Sequence, residues 1–436
     1  MGEMELIKPR VLKGFSDYLP SDEIARKSLI EAIEASFRSY AFLPIDTPAL
    51  EYADILLGKG GGETEKQIYR FFDHGERDVA LRFDLTVPFA RFLAEHRAKL
   101  NFPFKRYHIA KVWRGENTQR GRYREFMQCD FDTVGSESAA CDYEILHISH
   151  NILGLISGGE IEIKINHRAV FNSFLNRLGI KEKSGAILRT VDKLPKIGRD
   201  ECLSLLKELT TDAENILDFV EIKGDFMQSL SLMKEAAGIS PGIERLELLG
   251  KYIIDGGISS SITLDPSITR GLDYYTGLVF ESFLRELPDI GSVCSGGRYD
   301  NLVGLYSKQK LPGVGGSIGL DRLIAALKVL ERLNEKASYA QVGIACVDIK
   351  ATGAYQALAN VIRKAGINCE VFLEEEKITN QYQSAEKKGI KYFIIPNREN
   401  PNENFALRDL KERKNLENLD KFKLINLLSD LLRGNN

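Results

Sequence analysis

The spacing of hydrophobic residues changes along the chain and separates four sections. The first section, up to about residue 165, begins with apolar residues at helical spacing, namely Ile30, Ile33 and Phe37. An acidic segment after Pro20 precedes them and is typical of a helix start. Strand-like segments follow at 80–85, 104–114 and 125–134.

The remaining sections differ from the first in texture. Residues 166–262 have mostly helical patterns, whereas residues 263–333 return to strands and glycine. Residues 340–436 alternate strands with helices, a pattern that predicts βαβ units and a mostly parallel sheet. We therefore expect one sheet-based domain from 1–165 and 263–333, a mostly helical insertion at 166–262, and a separate α/β domain at 340–436.

Composition narrows the class of protein. The 436 residues are 43% hydrophobic and 28% charged, which excludes a disordered or fibrous chain. The net charge of −3 does not favour nucleic-acid binding, although a local basic stretch can still provide it. The six cysteines form no C-x-x-C pair, and neither a signal peptide nor a long apolar run is present. We expect a soluble, cytoplasmic protein with no membrane partner.

A predicted hairpin over residues 106–132 carries the first candidate chemistry. Alternate residues of a strand share a face, so the even positions of both segments can form one surface. That surface combines cation, acid, amide and aromatic side chains, which is typical of a pocket floor. Its predicted members are Arg114, Glu116, Phe126, Gln128 and Asp132. The alternative is a solvated edge hairpin with charged pairs.

The loop of this hairpin is strongly basic. Arg120, Arg122 and Arg124 fall within five residues, and arginine can bind phosphate through paired hydrogen bonds. The loop therefore suits a nucleotide or an RNA end. The alternative is a solubilising surface loop.

Two further segments give weaker signals. Arg270–Gly277 places an arginine, glycines and two tyrosines close together, but it could be an ordinary strand. The glycine-rich run 313–319 leads into a predicted helix and can present backbone N–H groups to an anion, or simply allow close packing. Arg322 opposes the dipole at the start of that helix, and a bound anion would explain it.

Together these segments resemble the histidyl-tRNA synthetase family of class II aminoacyl-tRNA synthetases, over essentially the whole chain. GFSDYLP and YAFLPIDTPALE resemble the opening and the dimer-forming motif 1, and ALRFDLTVPFARFLA resembles the amino-acid-binding strand. KVWRGENTQRGRYREFMQCDFD and GVGGSIGLDRL resemble motifs 2 and 3. RGLDYYTGLVFE and SGGRYDNL resemble the two histidine-specific segments, and 340–436 resembles the anticodon-binding domain.

The resemblance implies a fold, an activity and partners. The fold is an α+β catalytic domain whose antiparallel sheet is flanked by helices, joined to the helical insertion and the C-terminal α/β domain. The activity is histidine–tRNA ligation: ATP and histidine form histidyl-adenylate, and the histidyl group then passes to the 3′ end of tRNA(His). Mg²⁺, a homodimer and a role in protein biosynthesis are implied as well.

The resemblance also implies residue roles. Arg114 and Arg270 would be catalytic, on either side of the α-phosphate. ATP would be bound by Glu116, Arg122, Phe126 and Arg322. Histidine would be bound by Asp84, Thr86, Gln128, Asp132, Tyr274 and Tyr275, with Asp132 and Tyr275 on the imidazole. The acceptor end of tRNA would meet Gln119 and Arg120.

Two departures and two competing functions accompany this resemblance. Phe83–Thr86 differs from the Pro-Glu-Gly-Thr of one branch of the family, and Ile378–Gln381 replaces a more basic stretch. One alternative function is a catalytically inactive, synthetase-like regulatory paralogue that senses histidine. The other is a stand-alone RNA-binding module that uses the basic hairpin.

Overall fold

The computed structural model describes residues 7–58, 65, 67–118, 121–268, 275–308 and 310–433. Contacts between these residues group into two units. One comprises Met1–Ser16 and Leu29–Leu333, and the other comprises Asp17–Ser28 and Asn334–Asn436. No described helix is both long enough and apolar enough to cross a membrane.

An eight-stranded sheet is the centre of the first unit. The helices up to Leu333 are α1 (Pro20–Ser39), α2 (Ala53–Leu57), α3 (Thr86–His96), α4 (Ala139–Ser157), α5 (Arg168–Arg177), α6 (Ser184–Val191), α7 (Leu194–Lys207), α8 (Ala213–Val220), α9 (Phe226–Ala237), α10 (Pro241–Asp255) and α11 (Leu320–Val329). The strands are β1 (Leu43–Pro44), β2 (Leu50–Tyr52), β3 (Arg70–Phe72), β4 (Asp78–Leu81), β5 (Phe104–Trp113), β6 (Glu125–Val134), β7 (Ile161–His167), β8 (Ile262–Leu264), β9 (Leu278–Leu284), β10 (Cys294–Tyr299) and β11 (Gly313–Gly319).

The sheet is antiparallel except at its two edges. Its strand order is β1-β5-β6-β11-β10-β9-β7-β8, and β2, β4 and β3 form a separate small sheet. The pairs β1–β5 and β7–β8 are parallel. The structure therefore has the expected α+β architecture, a mainly antiparallel sheet flanked by helices, with parallel pairs only at its edges. In each parallel pair the edge strand, β1 or β8, is only two or three residues long.

The β5–β6 hairpin has the predicted antiparallel pairing. Arg106 lies opposite Asp132, and Ala110 lies opposite Gln128. Along β6, the side chains of Cys129 and Phe131 belong to the main hydrophobic core. The odd positions therefore face the core, which leaves the even positions for the other face.

The helical segment between β7 and β8 shares the core of the sheet. α5 to α10 all fall within the predicted stretch 166–262. Their buried side chains, such as Leu217 and Leu246, belong to the same cluster as Ile163 of β7 and Phe280 of β9. The helices therefore also cover part of the sheet face that carries these residues.

The second unit contains a five-stranded sheet of order β13-β12-β14-β15-β16. Its elements after Asn334 are β12 (Val342–Ile344), α12 (Thr352–Lys364), β13 (Cys369–Val371), α13 (Ile378–Lys387), β14 (Tyr392–Pro396), β15 (Phe405–Asp409), β16 (Lys414–Leu419) and α14 (Lys421–Arg433). The pairs among β12, β13 and β14 are parallel, as the βαβ pattern predicts, and β15 and β16 add antiparallel strands.

Gln381, in the stretch that departs from the basic family pattern, is a structural residue. It is 1% exposed, and its side-chain amide bonds the N–H and the carbonyl of Cys346 at 2.9 Å each. Its side chain therefore ties α13 to the segment that follows β12.

Candidate functional site

A cavity of about 310 Å³ opens on the even face of β6. Phe126, Gln128 and Asp130 line it from this strand, and Arg114 and Glu116 line it from the segment after β5. The predicted pocket floor is thus present, rather than a solvated hairpin. Further lining residues include Asp84, Thr86, Arg122, Tyr123, Tyr275, Glu281, Ser317 and Arg322.

The glycine-rich run 313–319 is strand β11 itself, and the predicted helix α11 follows it directly. Gly315 and Gly297 are paired across β11 and β10, on the same face as Asp132. A Cβ on Gly315 would lie 2.0 Å from Asp132 Oδ1, and a Cβ on Gly297 would lie 2.9 Å from the Tyr275 ring. These glycines leave room for the side chains beside the cavity.

The second glycine pair, Gly296 and Gly316, lies on the opposite face of the sheet, against the main hydrophobic core. A Cβ on Gly316 would lie 2.8 Å from the ring of Phe131 and 2.9 Å from the ring of Phe280. Both rings are nearly completely buried. Close packing therefore accounts for these glycines, as the alternative interpretation of the run proposed.

The glycine pairs give a prediction about stability. Gly315→Ala should lower the free energy of unfolding by about 1–3 kcal/mol, because its methyl group would overlap Asp132 and the Phe131 carbonyl. Urea unfolding measures this. Gly154→Ala is the matched control, since no atom lies within 4 Å of its added methyl and it falls inside α4. Equal losses in both variants would contradict the packing argument.

Three arginines lie at one end of the cavity. The Nε–H of Arg114 donates to the carbonyl of Phe83 at 2.9 Å, and its guanidinium lies 5.1 Å from the ring centre of Phe126. Arg322 donates to the carbonyl of Ser292 at 2.5 Å. Burial, followed by the nearby charge of Arg122, lowers the pKa of Arg322. Cations that repel one another beside a cavity favour an anionic ligand.

The loop that carries Arg122 is held at both ends by other segments. The N–H of Arg124 donates to the carbonyl of Gly14 at 2.8 Å, and the N–H of Gly115 donates to the carbonyl of Gln67 at 2.7 Å. Gly14 has a φ of 88°, and a Cβ there would lie 2.7 Å from Arg124. Gly14, the first residue of the GFSDYLP segment, therefore supports the basic loop.

Carboxylates lie at the other end of the cavity. Asp84 and Asp130 are each 2% exposed, and burial raises the pKa of Asp84 to about 6 and that of Asp130 to about 7. Burial, followed by the nearby charges of Asp132 and Asp130, raises the pKa of Tyr275, so its phenol stays protonated. This end therefore suits a ligand that carries N–H donors or a positive charge.

Three acceptor atoms on lining residues of this end have room for such a ligand. Among the described residues, Asp84 Oδ2, Gln128 Oε1 and Asp130 Oδ1 are buried without a hydrogen-bond partner. Their other atoms are occupied: Asp84 Oδ1 accepts from the N–H of Val87 at 3.1 Å, and Gln128 Nε2 donates to Ser317 at 2.9 Å. Buried acceptors usually have partners, so these three atoms indicate where donor groups of a ligand would sit.

Asp132 lies behind the cavity and is not among its lining residues. Its Oδ1 accepts from the Tyr299 hydroxyl at 2.5 Å, and its Oδ2 lies 2.7 Å from Arg106 Nη2. Arg106 has 0% exposure and lies 4.2 Å from the ring centre of Phe89. The structure thus brings together the described site residues predicted from the sequence, with Asp132 one layer deeper.

Four calls fall outside the described residues. These are Gln119, Arg120, Arg270 and Tyr274. The described residues on either side of 269–274 are nevertheless anchored: Asn166 donates to the carbonyls of Pro266 and Ile268, and Arg168 donates to the carbonyl of Tyr275 at 2.9 Å.

Sequence reasoning missed several residues of this site. The alternation of β6 puts Asp130 on the same face as Gln128 and Asp132, but the sequence pattern assigns it no role. Asn166 and Arg168 gave no signal, because they act on backbone carbonyls far along the chain. Arg106 appeared in the sequence only as one of several basic residues. Tyr299 appeared only as part of the SGGRYDNL segment, so no specific role could be predicted for either residue.

Several basic side chains of the stretch 104–124 are buried or form ion pairs within the fold. Arg106 is buried, Lys105 pairs with Glu144 at 2.6 Å, and Lys111 pairs with Glu125 at 2.7 Å. These contacts disfavour the hairpin as a free-standing RNA-binding surface.

Comparisons with known proteins agree with this geometry. The family model described as histidyl-tRNA synthetase matches residues 14–323, and the one described as anticodon binding domain matches residues 341–431. The histidine–tRNA ligase of Treponema denticola is 51% identical over 410 residues, covering 92% of each chain. That of Rhodopirellula baltica is 47% identical, covering 89% of this chain and 90% of that protein.

A solved structure extends the comparison to the fold. The crystal structure of histidyl-tRNA synthetase from Nostoc sp. PCC 7120 matches with a TM-score of 0.88 and 32% identity, covering 98% of this chain and 100% of that chain. With the cavity, its charged ends and the two family matches taken together, the chain belongs to the histidyl-tRNA synthetase family.

Proposed function

We propose that this protein activates histidine with ATP and transfers the histidyl group to tRNA(His). The observation that carries the proposal is one cavity with buried carboxylates at one end and arginines at the other. An amino acid needs acceptors for its ammonium group, and a nucleotide needs cations for its phosphates. The relatives named histidine–tRNA ligase support the choice of substrates.

The acceptors at the carboxylate end would hold the amino acid. Asp84 Oδ2 and Gln128 Oε1 would accept from its ammonium group, assisted by the Thr86 hydroxyl. Tyr275, and with it Tyr274, would face the imidazole ring. A pocket that pairs with ring nitrogens rejects apolar isosteres, since its own polar groups would stay unpaired. Asp132, which Arg106 and Tyr299 contact one layer deeper, would address the imidazole ring together with Tyr275.

The arginine end would hold ATP. Arg122 and Arg322 would bind the outer phosphates, Phe126 would stack on the adenine ring, and Glu116 would accept from its amino group. Arg114, held by the Phe83 carbonyl, would contact the α-phosphate, with Arg270 on the other side.

The first step needs positioning and charge stabilisation rather than a proton transfer. The histidine carboxylate attacks the α-phosphorus, a P–O bond forms, and the bond to pyrophosphate breaks. Negative charge grows on the α-phosphate oxygens, where prearranged cations lower the barrier. Holding both substrates in one cavity replaces an encounter in solution.

Mg²⁺ fits the residues of the arginine end. Among the described residues, no group of three or more His, Cys, Asp or Glu side chains is arranged to hold a metal by itself. Mg²⁺ commonly uses one or two carboxylates together with substrate phosphates, and Glu281 lines this cavity near the Arg322 guanidinium. Bound there, Mg²⁺ would neutralise phosphate charge.

The rest of the chain would serve tRNA and assembly. Residues 1–165 and 263–333 would form the catalytic domain, 166–262 the insertion, and 340–436 the anticodon-binding domain. Gln119 and Arg120 would meet the acceptor end. A cytoplasmic homodimer is part of the proposal, and exposed apolar side chains beside motif 1 support it: Leu43 is 56%, Tyr52 54% and Phe72 73% exposed.

Exchange of pyrophosphate into ATP tests the activation step. We expect exchange that depends on histidine, without added tRNA and not with other amino acids. Histidine binding without exchange, from folded protein with Mg²⁺ present, would instead indicate the regulatory paralogue. Charging of tRNA(His) transcripts then tests the transfer step.

Tyr275→Phe is predicted to act on amino-acid selection. Loss of the phenol should raise the KM for histidine by about 10-fold, the worth of one buried hydrogen bond, while the KM for ATP changes little. The same exchange assay measures both constants. An unchanged histidine KM would contradict the assignment of Tyr275 to the imidazole.

A further inference from the structure

The helical insertion, α5 to α10, is bonded to the segment that brings Tyr275 to the cavity. Tyr275 lines the cavity, and Thr276 and Gly277 lead from it into β9. The backbone groups of these three residues bond to residues of other elements. The position of the Tyr275 side chain therefore depends on those elements.

The first residue of α5 holds this segment directly. The guanidinium of Arg168 donates to the carbonyl of Tyr275 at 2.9 Å, and its backbone N–H donates to the carbonyl of Gly277 at 3.0 Å. Two residues earlier, the buried Asn166 side chain donates to two carbonyls just before 269–274, at 3.0 and 3.1 Å. The start of the insertion thus bonds the described backbone on both sides of that stretch.

A buried group of three charges holds the same segment from β10. The carbonyl of Arg298 accepts from the N–H of Thr276 at 2.7 Å, and its guanidinium donates twice to Asp142 Oδ1, at 2.9 and 2.6 Å. Arg245 of α10 donates to the other oxygen of Asp142 at 2.7 Å. Asp142 has 0% exposure. Both the first and the last helix of the insertion are therefore connected to the segment.

These connections leave little freedom of movement. Hydrogen bonds between ionised partners are short and strong, and Asp142 uses both oxygens in them. A Cβ on Gly277 would lie 3.2 Å from the Arg298 side chain, and a Cβ on Gly242 of α10 would lie 2.9 Å from Val170 of α5. Close-packed interiors transmit a displacement instead of absorbing it.

We propose that the insertion positions the Tyr275 segment for histidine activation, with Arg168 and Arg245 as positioning residues. Arg168 acts directly on the segment, and Arg245 acts through Asp142 and Arg298. The insertion is then part of the activation step, in addition to any contact with tRNA. This inference rests on the proposed function, since it concerns the same reaction.

The test measures pyrophosphate exchange by full-length protein without tRNA. Arg168→Met should lower kcat/KM for histidine about 10- to 100-fold, because a small displacement of a substrate-positioning group has an effect of this size. The KM for ATP should change less than about twofold, since the residues proposed to bind it lie on other segments. Arg168→Lys should recover part of the loss, because its ammonium group can still donate to the Tyr275 carbonyl.

Arg177→Met is the matched control on the same helix. Arg177 also donates to backbone carbonyls, those of Glu235 and Ala236 at 2.8 and 3.0 Å, but it does not line the cavity. The variant loses the same kind of contact within the insertion. Its exchange rate should equal that of the unaltered protein.

Arg245→Met tests the longer connection. Asp142 keeps Arg298 as its partner, so the variant should fold. Its kcat/KM for histidine should fall about 2- to 30-fold, the usual range for residues that act through others. An unchanged value would overturn the part of the proposal that concerns α10.

The outcomes separate the two levels of the proposal. No histidine-dependent exchange by the unaltered protein would count against the proposed function itself. Normal exchange by Arg168→Met, with only tRNA charging slowed, would overturn the inference alone, because the insertion would then serve tRNA only. Equal slowing in Arg177→Met would also overturn it, since that result assigns the effect to the stability of α5. If Arg168→Met fails to fold, Arg168→Lys and Arg245→Met replace it under the same criteria.

Discussion

Arg114→Ala should lower the rate of histidine-dependent pyrophosphate exchange by about 100- to 1000-fold. Loss of one prearranged donor at the site where charge develops in a transition state has an effect of this size. The Arg114 guanidinium is held for this role by the carbonyl of Phe83 and the ring of Phe126. Because the Arg114 side chain is 27% exposed, the variant should fold normally.

The matched control for this variant is Arg332→Ala. Arg332 forms an exposed pair with Glu286 at 2.9 Å and does not line the cavity. Its exchange rate should equal that of the unaltered protein. Single-turnover formation of adenylate separates a slower chemical step from weaker ATP binding. A variant of Arg114 with near-normal adenylate formation would remove this residue from the catalytic group.

Arg106→Met should lower the free energy of unfolding by about 3–5 kcal/mol. This change removes one partner of a buried ion pair and leaves the Asp132 carboxylate uncompensated, which costs about that much. Arg106 has 0% exposure, so water cannot replace the lost guanidinium. Chemical denaturation at neutral pH measures the loss.

Lys105→Met is the control on the neighbouring residue. Lys105 pairs with Glu144 on the partly exposed side of the same strand, and such pairs contribute about 0–1 kcal/mol. A loss of similar size in both variants would show that charge on β5, rather than burial of the Arg106 pair, sets the stability. The loss in Arg106→Met should also shrink at acid pH, where Asp132 is protonated.

Local alternation predicted much of the site. The even positions of the hairpin face the cavity because the odd positions, such as Cys129 and Phe131, fill the core. The same rule includes Asp130, so its place beside Gln128 was available from the sequence. The βαβ order of the C-terminal section could likewise be predicted, since strands and helices differ in the period of their hydrophobic residues.

Contacts between segments that are distant in sequence could not be predicted from this local periodicity. Asp130 and Asp132 have the same periodicity, and only Arg106 on β5 and Tyr299 on β10 distinguish them. The glycine run 313–319 fits both an anion-binding loop and a strand. Its role as a strand is decided by the rings of Phe131 and Phe280, which the chain brings to it from two other strands.

The paired glycines of β10 and β11 also limit how this site can change during evolution. Gly297 and Gly315 have no side chains, and the space above them is taken by Tyr275 and Asp132 near the carboxylate end of the cavity. A substitution there fills space already used by Tyr275 or Asp132, so these two strands offer few single changes that alter substrate preference. New preferences would have to arise where side chains border the cavity, on β6, in the segment 84–86, or at non-glycine positions of β9 to β11 such as Glu281 and Ser317. Variation among relatives can be searched at these positions first.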